Sequence, residues 1–162
     1  MFKYIGLIFI IITCFGAGWY YSLRLKFRCE FLNSFKDFLS TLETNMKYNS
    51  AEIFSLVKKS APENIKTVFE RDSGGGFQNY WSLCVENIPL HFALKKDDYN
   101  LLYEFGRLLG TTDIEGQINH INLYKELLEN NINNSYTELK QKSKLSKTLG
   151  LFLGITIALL LF

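Results

Sequence analysis

The chain has 162 residues, 48% of them hydrophobic and 21% charged, with a formal net charge of +2 at pH 7. That length accommodates one modest domain. The positive balance gives no argument for nucleic acid, because the basic residues gather at the borders of two apolar stretches, where lipid headgroups would lie.

The first stretch, Tyr4 to Leu23, holds twenty residues without a charge. At about 1.5 Å rise per residue it reaches roughly 30 Å, the thickness of a bilayer core. Trp19, Tyr20 and Tyr21 read as an interfacial aromatic belt. Gly16-Ala17-Gly18 offers small residues for leader cleavage, but the apolar run exceeds the usual leader length. Arg24, Lys26 and Arg28 follow the stretch at once, and only Lys3 precedes it.

Phe27, Phe31, Leu32, Phe35, Phe38, Leu39, Leu42 and Met46 recur at helical spacing and predict one apolar helix face. Asn49-Ser50 breaks the pattern, and Ser50 suits the cap of a second helix carrying Ile53, Phe54, Leu56 and Val57. Pro62 fits the first turn of a third, with Ile65, Val68 and Phe69. Asp72 to Gly76, with three glycines in succession, predicts a loop. A fourth helix carries Tyr80, Trp81, Cys84, Val85 and Ile88 and ends near Pro89. A fifth runs from about Asp97 to Gly110 and buries Leu101, Leu102, Phe105, Leu108 and Leu109.

The joint that follows, Phe105 to Gln117, invites comparison with a glycine-rich phosphate loop, as does Asp72 to Phe77, which lacks a basic residue. Such a loop needs a preceding strand and a closing Gly-Lys-Ser/Thr, and here Gly110 is followed by Thr111-Thr112 with no lysine. The residues fit a helix hairpin instead. Gly110 suits the left-handed position past a helix end. Thr112 and Glu115 have the spacing of a capping box, and Asp113 complements the helix dipole. Gly106 leaves room for a close neighbour.

The last helix carries Ile114, Ile118, Ile121, Tyr124, Leu127, Leu128, Ile132, Tyr136 and Leu139. No proline follows Pro89, so it is expected to run from about residue 113 to the end, with local fraying at Asn130 to Asn134. Lys140, Lys142, Lys144 and Lys147 precede the second uncharged stretch, Leu149 to Phe162. In that stretch Gly150, Gly154 and Ala158 repeat every four residues. Gly6 and Gly16-Ala17-Gly18 offer the first stretch contact faces too, and these small residues either line helix-packing faces or reflect the general frequency of glycine in membrane helices.

Between Cys29 and Leu139 there are ten Lys and Arg against sixteen Asp and Glu, a net of −6. Seven basic residues flank this middle part and one lies outside, so the positive-inside rule puts the middle in the cytoplasm. The expected architecture is all-α: a cytoplasmic helical bundle of five to six helices flanked by N- and C-terminal transmembrane helices. The divisions fall at residues 1–26, 27–143 and 144–162. Cys14, Cys29 and Cys84 lack metal-ligand spacing and read as free thiols. His91 and His120 stand apart from each other and from any ligand pattern. No catalytic constellation, cofactor, metal or small-molecule substrate is expected.

The chain also resembles the stage III sporulation protein AB family of endospore-forming bacteria. The resemblance rests on Leu42 to Tyr48 (with Leu42, Glu43 and Tyr48 as the matching residues), on Phe105 to Ile121 (with Gly106, Gly110, Asp113 and Gln117), and on the C-terminal apolar ending. Asn45 and Met46 depart from that pattern, as do the residues after Tyr48 and the segment after the first apolar stretch. The resemblance implies a scaffold in the mother-cell membrane around the forespore, similar to the F-type platform proteins of type II secretion and type IV pilus machines. It implies contact with a companion ATPase, stage III sporulation protein AA, with other membrane proteins of the same complex, and with the lipid bilayer. Homo-oligomerisation is left open. The alternative is a tail-anchored helical adaptor without a secretion role.

Overall fold

The computed structural model describes residues 2–48, 52–70 and 76–161, and side chains are not described for residues 2–5, 7, 10, 158 and 161. Six α-helices follow in order: α1 (Phe2–Tyr48), α2 (Ile53–Ser60), α3 (Lys66–Phe69), α4 (Phe77–Glu86), α5 (Lys96–Leu108) and α6 (Ile114–Leu161), with a 3-10 turn at Leu90–Phe92 before α5. Among the described residues there is no strand. They also hold no helix long and apolar enough to cross a membrane. Side chains 4, 5, 7 and 10 of the Tyr4–Leu23 stretch lie outside that description.

The chain forms two compact units. One comprises residues 1–29 and 134–162, the other Glu30–Asn133. Residues 27–29 and 134–143, which the sequence assigns to the bundle, belong to the first unit. α1 and α6 are uninterrupted helices, so helical periodicity alone has no break there to mark a boundary.

In the second unit the α1 face from Phe31 to Met46 is buried as its periodicity predicts. Trp81 of α4, 1% exposed, sits at the centre of an aromatic cluster. The rings of Phe35, Phe38, Phe69, Phe77 and Phe105 have centroids 5.3–6.3 Å from it. α6 closes the core with Ile121, Tyr124, Leu128 and Ile132. Burying each of these large side chains contributes about 1.5–3 kcal/mol, and their rings add specific edge-to-face contacts. Inside the core the polar atoms find partners: Tyr80 Oη donates to the Phe69 carbonyl at 2.6 Å, and Trp81 Nε1 donates to the Leu102 carbonyl at 2.8 Å.

Several local expectations change. The segment before α3 is a turn, closed by Ile65 N donating to the Pro62 carbonyl, and the helix begins four residues after the proline. α4 stops at Glu86, and Ile88 enters the core from the non-helical link that follows. Leu108 is 44% exposed and Leu101 only partly buried. The backbone turns extended at Leu109 (φ −69°, ψ 129°), which swings Leu109 into the core and leaves Leu108 outside. Ile114, Leu127 and Tyr136 are likewise exposed, because they fall off the narrow stripe of α6 that meets a neighbour. The Asn-rich segment 130–134 remains helical: Ile132 is buried, and Asn131 Nδ2 donates to Asp98 Oδ1 at 3.0 Å. Tertiary contacts there outweigh weak helix propensity. The proposed Ser50 cap and the glycine loop at residues 72–75 lie outside the described residues.

Candidate functional site

Among the described residues no group of three or more His, Cys, Asp and Glu has the arrangement to hold a metal ion. Instead, the residues singled out by sequence fall into three structural assemblies.

The first is the α5–α6 joint in the second unit. Gly110 has φ +83°, a conformation open to glycine at little cost. Asp113 precedes α6, and its Oδ1 accepts the Gly116 N–H at 3.0 Å. Asp113 is therefore the cap of α6, in place of the Thr112–Glu115 box. Thr112 serves the joint differently. Gln117, buried, accepts the Gly110 N–H at 2.9 Å through Oε1 and donates to Thr112 Oγ1 at 2.9 Å through Nε2. One amide side chain thus fastens both sides of the turn. Glu115 is exposed. Gly106 is the seat of Trp81, since a Cβ there would lie within the indole ring. His120 is satisfied in this assembly, with Nε2 2.9 Å from the Phe105 carbonyl and its ring stacked on Phe105. His91 is exposed and packs on Phe92.

The second assembly joins α1 to α6 in the same unit. Glu43 accepts Lys125 Nζ at 2.8 Å and Lys47 Nζ at 2.6 Å. Its hydrogen bond to Lys125, then that to Lys47, hold its carboxyl below the ordinary value near 4.5 against an opposing effect of burial. Lys36 pairs with Glu129 further along the two helices. Of the other matching residues, Leu42 is fully buried and Tyr48 is 86% exposed.

The third assembly is the first unit, where the two ends of the chain run antiparallel. A Cβ on Gly18 would stand 2.5 Å from the Ser146 carbonyl oxygen, one on Gly150 2.7 Å from the Cys14 carbonyl oxygen, and one on Gly154 3.0 Å from the Ile11 Cα. The helices meet backbone to backbone at these glycines. Ala158 has no described side chain. Ser146 Oγ donates to the Gly18 carbonyl at 2.9 Å, and Ser22 and Ser143 share a hydrogen bond. Next along the pair, Arg28 Nη1 meets Glu138 Oε2 at 3.0 Å. Arg28 is 4% exposed, so it is a buried ion-pair member and corrects its reading as a headgroup-facing residue. Lys142 also reaches Glu138, at 3.0 Å, and Lys147 lies 4.6 Å from the centroid of the Trp19 ring. Arg24, Lys26, Lys140 and Lys144 are exposed.

The outward faces of this pair are apolar. Ile8, Phe9, Ile12, Phe15 and Trp19 on α1, and Leu149, Phe152, Leu153 and Leu159 on α6, are all exposed. Thr13 and Thr156 turn their hydroxyls back onto the carbonyls of Phe9 and Phe152 in their own helices. Sequence reasoning identified Gly150 and Gly154 and the small-residue cluster around Gly18, but missed the Arg28–Glu138 pair and Ser146 as the partner of Gly18, each joining residues more than a hundred apart.

The family model for stage III sporulation protein AB matches residues 3–162. Stage III sporulation protein AB of Bacillus subtilis (strain 168) is 24% identical over 170 residues, covering 99% of each chain. No solved structure matches.

Proposed function

The chain belongs to the stage III sporulation protein AB family, and we propose that it acts as a non-enzymatic membrane platform in the channel complex between mother cell and forespore. A role in sporulation follows from family membership. The platform reading goes further: the first unit sits in the membrane, and the second presents a cytoplasmic surface to the companion ATPase, stage III sporulation protein AA.

One observation carries the membrane assignment. The first unit packs through small residues and displays large apolar ones. In water this is unstable, since burying apolar side chains drives folding. In a bilayer it is the favoured arrangement, because lipid satisfies the outer surface and close backbone packing supplies the contact. The hydroxyls bonded within their own helices meet the demand that polar groups in hydrocarbon be satisfied.

The orientation follows from charge. With Arg28 committed to Glu138, six basic residues remain at the border of the pair, against Lys3 beyond it. The test is co-purification of the full-length chain, in detergent, with the companion ATPase. Retention of the ATPase, lost on charge reversal in the bundle, supports the platform. Failure to retain it, with the chain itself folded and helical, removes the ATPase contact.

A further inference from the structure

The outer side of α6 carries a second periodicity. Leu123, Leu127, Asn130, Asn134, Thr137 and Gln141 are spaced by 4, 3, 4, 3 and 4 residues, and all six are exposed. That spacing is a heptad seam, with Leu127, Asn134 and Gln141 at a and Leu123, Asn130 and Thr137 at d. Its two leucines are 52% and 42% exposed, whereas Ile121, Leu128 and Ile132 of the same helix are buried in the core. None of the seven charged residues between Ile114 and Lys142 falls on the seam. An outer helix face that meets only water would ordinarily carry some of them.

We propose that this seam pairs with the same seam of a second copy of the chain, as a short parallel two-stranded coiled coil. The proposal rests on the membrane reading above. Two copies entering one membrane share direction and depth, so α6 meets α6 parallel and in register, each seam residue opposite itself. Charge selects the same occupant. The neutral seam meets a neutral seam. At its borders Glu126 stands opposite Asn131 of the second copy and Asn133 opposite Glu138, so no like charges meet. An antiparallel pair centred on the leucines would instead set the two Glu126 side by side. Asparagine at an a position favours one register and two strands, at a cost in stability. Two leucine layers make a weak contact, and confinement to one membrane raises the effective concentration at which it acts.

The experiment places the full-length chain, with Cys14, Cys29 and Cys84 replaced by Ala, in phosphatidylcholine vesicles and follows cross-linking between copies by a short bismaleimide. Asn134→Cys should cross-link at least about tenfold faster than Asn122→Cys, an exposed position off the seam, since a residues of paired strands face each other. Leu123→Glu with Leu127→Glu should slow the reaction of Asn134→Cys at least about tenfold, because like charges then meet in the seam. Both leucines are exposed, so circular dichroism should show unchanged helix content. In detergent sedimentation Asn134→Leu should shift the chain toward dimer and Asn134→Lys toward monomer. Equal cross-linking of Asn134→Cys and Asn122→Cys overturns the proposal. So does cross-linking that survives the two glutamates, or sedimentation that neither Asn134 variant shifts. If the two glutamates release the companion ATPase from a chain that does not cross-link, the seam belongs to that protein and the second copy is overturned. Flotation of the vesicles separates the two levels. A chain that does not float with them refutes the membrane reading itself, and one that floats without preferential cross-linking of Asn134→Cys refutes only the seam.

Discussion

Trp81 illustrates how one side chain dictates its neighbours. Its indole must be covered on all sides and its N–H satisfied, and the Leu102 carbonyl and the bare backbone of Gly106 provide for both. Gly106→Ala places a methyl group inside the ring position, so Trp81 must move within a close-packed aromatic cluster. The expected loss is about 1–3 kcal/mol of stability. Fluorescence of Trp81 in a Trp19→Phe background, followed through denaturant, measures it. Glu43 gives a second case, with a pH signature. Its folded pKa is depressed, so its pairing stabilises the fold above the ordinary value near 4.5 and is lost as pH falls through the lower folded value. Glu43→Gln should therefore lower stability by about 0.5–1 kcal/mol at pH 7 and by much less near pH 3. Parallel melts at the two pH values check this, and an equal loss at both would remove the ionic explanation.

Between consecutive helices, the difference between spacing and contact decides what a sequence reveals. The buried face of α1 from Phe31 to Met46 was readable because a 3.6-residue period survives any tertiary context. Gly110 was readable because a helix stop with left-handed backbone favours one residue type. The cap of α6 was readable only to within one position: Thr112–Glu115 and Asp113 are both good caps, and the clip from Gln117 to Thr112 and Gly110 selects Asp113. Asp113→Ala should cost about 1 kcal/mol in thermal unfolding, while Glu115→Ala should cost little. The reverse order would restore the capping box. Trp81 on Gly106 and Arg28 with Glu138 were not readable, since nothing local announces a partner from another helix. In the first unit, Gly150→Leu would meet the Cys14 carbonyl, whereas Gly16 faces open space. Both substitutions raise helix propensity alike. Gly150→Leu should nevertheless cost about 1–3 kcal/mol in detergent-induced unfolding, and Gly16→Leu should not destabilise.

On the membrane reading proposed above, the sorting of charge and apolar surface along the chain favours one direction. All sixteen acidic residues lie between Cys29 and Leu139, while seven basic residues border the two uncharged stretches on the sides that face this region and only Lys3 lies beyond. Crossing a membrane with the second unit would mean passing its charged surface and the flanking cations through hydrocarbon. Holding it on the cytoplasmic side leaves both in water. Leu90, 86% exposed in the 3-10 turn, is a suitable reporter of that side. In a chain with Cys14, Cys29 and Cys84 replaced by Ala, Leu90→Cys should react with a membrane-impermeant maleimide only after the cells are opened. Removing Arg24, Lys26, Lys140 and Lys144 together should weaken the bias, and a fraction of Leu90→Cys should then label in intact cells. The Arg28–Glu138 pair stays intact in that variant: removing Arg28 would take a buried ion-pair member out of the packed helix pair and confuse misfolding with reorientation. Labelling of the unaltered charge pattern in intact cells would place the bundle outside, and contact with a cytoplasmic ATPase would then be lost with it.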